Sequence, residues 1–123
     1  MRAFPVVAVI DDHEMIREGL AALLRSAAYR SELYPSAEDF LPMAATSEAS
    51  CLIVDMQMDG MSGVELGRRL VALGFAFPII FLTASDDPRH LKEATELGCL
   101  AYLQKPPNSQ RLLELISLAV SRR

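Results

Sequence analysis

The chain is 123 residues long, 51% hydrophobic and 23% charged, with a formal net charge of −4; that suffices for one core and leaves no room for a second of comparable size. Hydrophobic content at this level excludes disorder and fibrous repeats, and the acidic balance argues against direct nucleic-acid contact and favours binding of cations. No apolar run approaches the roughly 20 residues that a membrane-spanning helix needs, and no leader pattern opens the chain, so it is read as a cytoplasmic domain over 1–123 with no membrane contact and no output domain.

In chain order, Val6 to Ile10 is short, branched and apolar on both faces, as a covered parallel strand requires. Met15, Ile16, Gly19, Leu20, Leu23, Leu24 and Ala27 then recur at helical steps and form one apolar stripe. Ser31 to Tyr34 reads as a polar edge strand, and Ser36 caps a short helix through Phe40 and Leu41, with Asp39 in the capping-box place. Cys51 to Val54 is a second covered strand. Ser62 caps a helix whose buried side is Val64, Leu66, Leu70, Val71 and Leu73. Ile79 to Leu82 is a third covered strand, after which Asp87 and Pro88 open a helix that Gly98 ends. Ala101 to Leu103 is a weaker strand, and Ser109 caps a last helix with Leu112, Leu113, Ile116, Ala119 and Val120 inward. Cys51 and Cys99 lie in apolar runs without metal-like spacing and read as small hydrophobes.

Strands alternating with helices imply right-handed crossovers and a parallel sheet covered on both faces, with ligands bound at the carboxyl ends of the strands. Those ends carry Asp11 and Asp12, then Asp55, then Thr83, then Lys105 and Pro106. Each residue alone has an ordinary role: Asp12 can cap a helix, Asp55 can form a turn, and Thr83 and Lys105 can be plain surface groups. Together they gather three carboxylates at one edge, where the charges repel unless a cation joins them. Oxygen donors suit a hard ion, and Mg2+ with retained waters fits better than Ca2+ because carboxylates are few. Lys105 would then hold an anionic group beside the metal, and the Thr83 hydroxyl would hydrogen-bond it. The set suits phosphoryl transfer to a carboxylate.

The runs VAVIDDHEMIREGLAALL, LIVDMQMDGMSGVEL, IIFLTAS and AYLQKP resemble the receiver domain of two-component response regulators over essentially the whole chain. Intervals of 44 residues from Asp11 to Asp55, 28 to Thr83 and 22 to Lys105 agree with that family. The MSGVEL segment is most similar to the FixJ-type branch of transcriptional regulators. The resemblance implies a flavodoxin-like, CheY-like (βα)5 α/β fold with a five-stranded parallel sheet in the order 2-1-3-4-5. It makes Asp55 the phosphoacceptor for a sensor histidine kinase or phosphotransfer protein, and Asp11, Asp12, Asp55 and the Gln57 backbone carbonyl the Mg2+ ligands. Lys105 would pair with the phosphoryl oxygens, Thr83 and Tyr102 would form the switch, and the Lys105 to Pro106 peptide would be cis. A kinase would dock on the first helix at Met15, Ile16 and Gly19. Phosphorylation would drive a homodimer through the fourth helix and fifth strand, at Leu91, Lys92, Thr95 and Ala101, and control a DNA-binding output. The domain would not be an enzyme in the ordinary sense, catalysing only its own phosphotransfer and autodephosphorylation.

Three positions depart from the family pattern. Asp59 stands where a proline is common, which leaves the loop after Asp55 less stiff and adds a negative charge; Pro107 replaces a phenylalanine and stiffens the approach to the last helix. His13 replaces a third acidic residue and reads as a solvated loop side chain. Gln57 and Ser85 lie two residues past Asp55 and Thr83 and are small enough to admit attacking water, which implies dephosphorylation on an intermediate timescale. Two other functions compete with this assignment. An aspartyl-phosphate phosphohydrolase would carry its nucleophile in a DxDx(T/V) motif after the first strand, which is absent; a free-standing or degenerate receiver would act only as a protein-binding module.

Overall fold

The computed structural model describes residues 4–121. Five strands, β1 (Val6–Ile10), β2 (Arg30–Tyr34), β3 (Ala49–Asp55), β4 (Ile79–Thr83) and β5 (Ala101–Gln104), pair in parallel in the order β2-β1-β3-β4-β5. The helices between them are α1 (Glu14–Ser26), α2 (Ala37–Phe40), α3 (Gly63–Ala72), α4 (Pro88–Glu96) and α5 (Ser109–Ser121), with a 3-10 turn at Leu41–Met43.

Because successive strand side chains point to opposite faces, the three central strands supply two cores. Val7, Val9, Cys51, Ile53, Ile80 and Leu82 pack against Leu20 and Leu24 of α1 and Leu112, Leu115, Ile116 and Ala119 of α5. Ala8, Ile10, Leu52, Val54, Ile79 and Phe81 pack on the other face against α2, α3 and Ala94 of α4. The apolar-on-both-faces pattern of these strands is therefore the direct consequence of two helical layers. Cys51 is buried, which pushes its thiol up to about 12, and Cys99 is half-buried; neither is an activated thiol.

Local signals set the helix starts. Ser36 accepts from Asp39 N, Ser62 from Glu65 N, and Asp87 from Arg89 N with Pro88 in the first turn. Gly98 follows α4 at φ 74°, the left-handed conformation glycine tolerates best. The readings of three helices are corrected. Asn108, not Ser109, caps α5, its side chain accepting from Arg111 N at 2.9 Å. Leu73 lies beyond the last turn of α3, and both it and Val71 are exposed. Met15 and Gly19 face outward, leaving Leu20 and Leu24 as the buried residues of α1.

The register places the site. Ile10 pairs with Val54, so the next residues, Asp11 and Asp55, stand side by side where the strand order reverses. Asp55 pairs with Leu82, and Thr83 with Gln104, so Thr83 and Lys105 complete the same edge.

Candidate functional site

Asp11 is 1% exposed and follows β1 directly. Its backbone N–H donates to Tyr34 O at 3.1 Å, and its carbonyl accepts from Arg17 Nη1 of α1 at 2.7 Å. Its Oδ2 accepts from Lys105 Nζ at 2.8 Å and its Oδ1 from His13 N at 2.9 Å. A carboxylate this buried persists because each oxygen has a donor. The Asp12 side chain is 29% exposed, and its Oδ2 accepts from Asp59 N at 3.4 Å.

Asp55 closes β3 at 3% exposure. Its Oδ1 accepts from Gln57 N at 3.1 Å. Its Oδ2 is buried without a hydrogen bond, although Lys105 Nζ forms an ion pair with it at 3.2 Å; the ammonium's directed bond goes to Asp11 instead. Burial raises the Asp55 carboxyl above its ordinary value and the Asp11 charge adds to that, against the pull of the Gln57 N–H and Lys105. For Lys105, burial works downward but the carboxylates of Asp11 and Asp55 outweigh it, and the net shift is upward.

Thr83 is fully buried. Its Oγ1 accepts from Ser85 N at 3.0 Å, while its own proton has only Ser85 O at 3.4 Å. Tyr102 is half-buried on β5 against the core that contains Phe81 and Ala94. The Lys105–Pro106 peptide is cis. Asp11, Asp12, Asp55, Thr83, Lys105 and the backbone of Gln57 thus share one edge, and Tyr102 lies on the neighbouring face.

Sequence reasoning missed two contributors and underrated a third. Arg17 locks the Asp11 backbone, and its position one helical turn after His13 was the available signal. Glu38 on α2 accepts from Met61 N at 2.9 Å and so ties down the loop after Asp55; α2 is itself fixed by Phe40, whose ring meets Tyr34 edge-on at 5.1 Å. No sequence pattern pairs Glu38 with Met61. His13 is a solvated loop residue as read, its side chain 61% exposed, but it also meets the acid cluster: its Nδ1 lies 3.0 Å from Asp11 Oδ1, 3.1 Å from Asp12 Oδ1 and 3.9 Å from Asp55 Oδ2.

The donor set fits a hard divalent ion. Carboxylate oxygens of Asp11, Asp12 and Asp55 and a nitrogen of His13 lie within 4.8 Å of one another, and Asp55 Oδ2 is a buried acceptor lacking a hydrogen bond. A nucleophilic carboxylate beside a lysine and a cation site can accept a phosphoryl group.

Residues 7–117 match the response regulator receiver domain family. Transcriptional regulatory protein TdiR of Thauera aromatica is 35% identical over 94% of this chain and 51% of its own length. Transcriptional regulatory protein FixJ of Bradyrhizobium diazoefficiens is 35% identical over 91% of this chain and 55% of its own. The crystal structure of FixJ-N superposes with a TM-score of 0.89 at 31% identity, covering 100% of this chain and 98% of that one. The chain spans about half the length of the curated relatives it matches. Among the described residues no helix is long and apolar enough to cross a membrane.

Proposed function

This chain belongs to the response regulator receiver domain family, and we propose that Asp55 takes a phosphoryl group from a cytoplasmic histidine kinase or phosphotransfer protein and passes the change to the surface of α4 and β5. One arrangement carries the proposal: Asp55 Oδ2 is buried, lacks a hydrogen bond and lies 3.2 Å from Lys105 Nζ beside two further carboxylates.

The Asp55 carboxylate attacks phosphorus, the P–N bond of the donor phosphohistidine breaks, and its electron pair returns to the imidazole nitrogen. Lys105, held by Asp11 at 2.8 Å, would meet the phosphoryl oxygens. Mg2+ held by Asp11, Asp12, Asp55 and the Gln57 carbonyl would offset the negative charge brought together in this step. Asp55 then bears a group nearer −2 than −1.

Thr83 is the donor able to respond. A hydroxyl proton at 3.4 Å from Ser85 O contributes little, whereas a hydrogen bond to a charged oxygen contributes about 1.5–3 kcal/mol. Moving toward the phosphoryl group therefore favours itself energetically, and Tyr102 turns into the space vacated. Between these residues lies α4, with Ala94 as its only fully buried side chain, so it is lightly held and free to shift. Leu91 of α4 is 50% exposed and supports a homodimer surface with Lys92, Thr95 and Ala101. Met15 is 85% exposed at the start of α1, beside the acid pair, and supports kinase docking there with Ile16 and Gly19. The relatives are transcriptional regulators, and we assign the same kind of output to this chain, exerted by a DNA-binding partner domain and not by this surface. Autodephosphorylation is assigned to water passing Gln57 and Ser85.

The test is intact-mass measurement after incubation with Mg2+ and acetyl phosphate. The wild type gains one phosphoryl group and Asp55→Asn gains none; a wild type that stays unmodified, or an Asn variant modified equally, would overturn the assignment. Alanine at Met15 and Ile16 slows transfer from the kinase but not from acetyl phosphate.

A further inference from the structure

We propose that His13 is itself a ligand of the divalent cation, making the pocket a mixed nitrogen and oxygen site that takes a transition ion such as Ni2+ or Mn2+ in preference to Mg2+. The inference rests on the pocket's being the cation site argued above and adds a donor that no family pattern assigns.

The local backbone aims the ring. His13 occupies the N-cap position of α1 in extended conformation (φ −100°, ψ 114°) but its side chain makes no capping bond. Its backbone N–H instead donates to Asp11 Oδ1, closing a tight turn that brings the imidazole back over the acid pair. His13 Nδ1 is within hydrogen-bond distance of Asp11 Oδ1, and the same spacings also match those of ligands around one ion. Metal to ligand distances of about 2.1 Å in octahedral geometry place adjacent donor atoms about 3 Å apart and opposite ones about 4 Å apart. His13 Nδ1 lies 3.0 Å from Asp11 Oδ1, 3.1 Å from Asp12 Oδ1 and 3.9 Å from Asp55 Oδ2. Asp55 Oδ2, at a residue 3% exposed, completes the set as a buried acceptor with no directed hydrogen bond; its one charged partner, Lys105 Nζ at 3.2 Å, leaves a lone pair for a cation.

Chemistry then selects the ion. Mg2+ sheds water reluctantly and prefers oxygen, whereas imidazole suits first-row transition ions and affinity rises from Mn2+ to Ni2+. The competing role for His13 is that of a cation neutralising the carboxylates, in which case it would exclude every metal alike. These roles give opposite results on removal: a ligand's loss weakens Ni2+ selectively, a counter-ion's loss strengthens all divalent ions together.

Dissociation constants for Ni2+ and Mg2+ are measured by calorimetry on the untagged chain, on His13→Ala and on His13→Glu, which keeps a donor but makes it oxygen. The preference for Ni2+ over Mg2+ falls by about tenfold or more in both variants, on the scale that metal-site substitutions produce. Electron spin echo modulation from bound Mn2+ shows a directly bonded nitrogen in the wild type and none in either variant. The remaining histidine, His90, lies on α4 outside the cluster and is unchanged throughout. An unaltered preference, an Mn2+ spectrum without nitrogen, or equal tightening of both ions in His13→Ala would each overturn the inference. Phosphoryl gain with Mg2+ on the same preparations separates the two ideas: gain at Asp55 without nitrogen ligation defeats only His13 as a ligand, and nitrogen ligation without phosphoryl gain defeats only the receiver function.

Discussion

Gly63→Ala should destabilise the domain and damage the site, for a reason specific to its position. Gly63 is the first residue of α3, and its N–H donates to Met56 O at 3.1 Å. A Cβ there would strike the Asp55 carbonyl oxygen and approach Val54 Cγ1 to 2.9 Å and Met56 Cα to 3.0 Å. Two of these are backbone atoms, and Met56 N is bonded to Leu82 O at 2.8 Å, so the end of β3 cannot yield without leaving the sheet. Overpacking of this kind costs about 1–3 kcal/mol, and the gain from replacing glycine in a helix is at most about 1 kcal/mol and smaller in the first turn. The net is a loss of about 1–2 kcal/mol, or roughly 4–8 °C in Tm for a domain of this size. Gly19→Ala is the control, since nothing lies within 4 Å of its added Cβ on the outer face of α1; its Tm should rise by about 4 °C, the helix gain being up to about 1 kcal/mol. Thermal unfolding by circular dichroism reads both. Because the clash displaces the Asp55 backbone, phosphorylation of Gly63→Ala by acetyl phosphate should also slow by tenfold or more, in keeping with the cost of small misplacements of reacting groups. A Gly63→Ala chain that melts at or above the wild-type temperature would refute the reasoning.

Asp55→Asn should raise Tm at neutral pH. The folded carboxyl holds its proton to higher pH than the unfolded one, whose ordinary value is 3.8, so between the two the native state binds more protons and stability falls as pH rises. Asparagine removes that loss, and the gain should vanish below the ordinary carboxylate range; a variant no more stable than wild type at pH 7 would contradict it. Glu38→Ala should speed hydrogen exchange at Met61 N–H several-fold, with Glu38→Gln intermediate because its amide oxygen still accepts; unchanged exchange in both would show that the 2.9 Å contact does not restrain the loop.

The fold was readable because the three central strands are buried on both faces and so read as apolar runs that stop at a polar or charged residue. Asp11, Asp55 and Thr83 stand out for that reason alone, and parallel pairing with a shared carboxyl edge then brings them together. What sequence could not supply was contact between residues distant in the chain. Glu38 meets Met61 only because α2 folds over the end of β3, and nothing in either local sequence specifies it. The stripe of α1 was drawn too wide: Ile16, Leu20 and Leu24 face the core, whereas Met15 and Gly19 have the right period but sit on the flank of that face and are exposed. At α5, both Asn108 and Ser109 can cap, and only the bond from Arg111 N decides between them.

Asp59 shows how a departure from pattern is compensated in three dimensions. A proline at that position would stiffen the loop through its ring but has no N–H. Asp59 has one, and it reaches Asp12 Oδ2 at 3.4 Å, linking the loop to a residue of the acid pair. That bond is long, and alone it would restrain little. The firmer tie is two residues on, where Met61 N donates to Glu38 at 2.9 Å and Gly60, at φ 77°, lets the chain turn against the Glu38 carboxylate. Binding Met61 N–H holds the Glu38 carboxyl below its usual range, so this acceptor stays ionised to lower pH than an ordinary carboxylate. Stiffness that a proline would provide within the chain is here provided across it, by α2, and the loop beside Asp55 is ordered by a contact that can also be released.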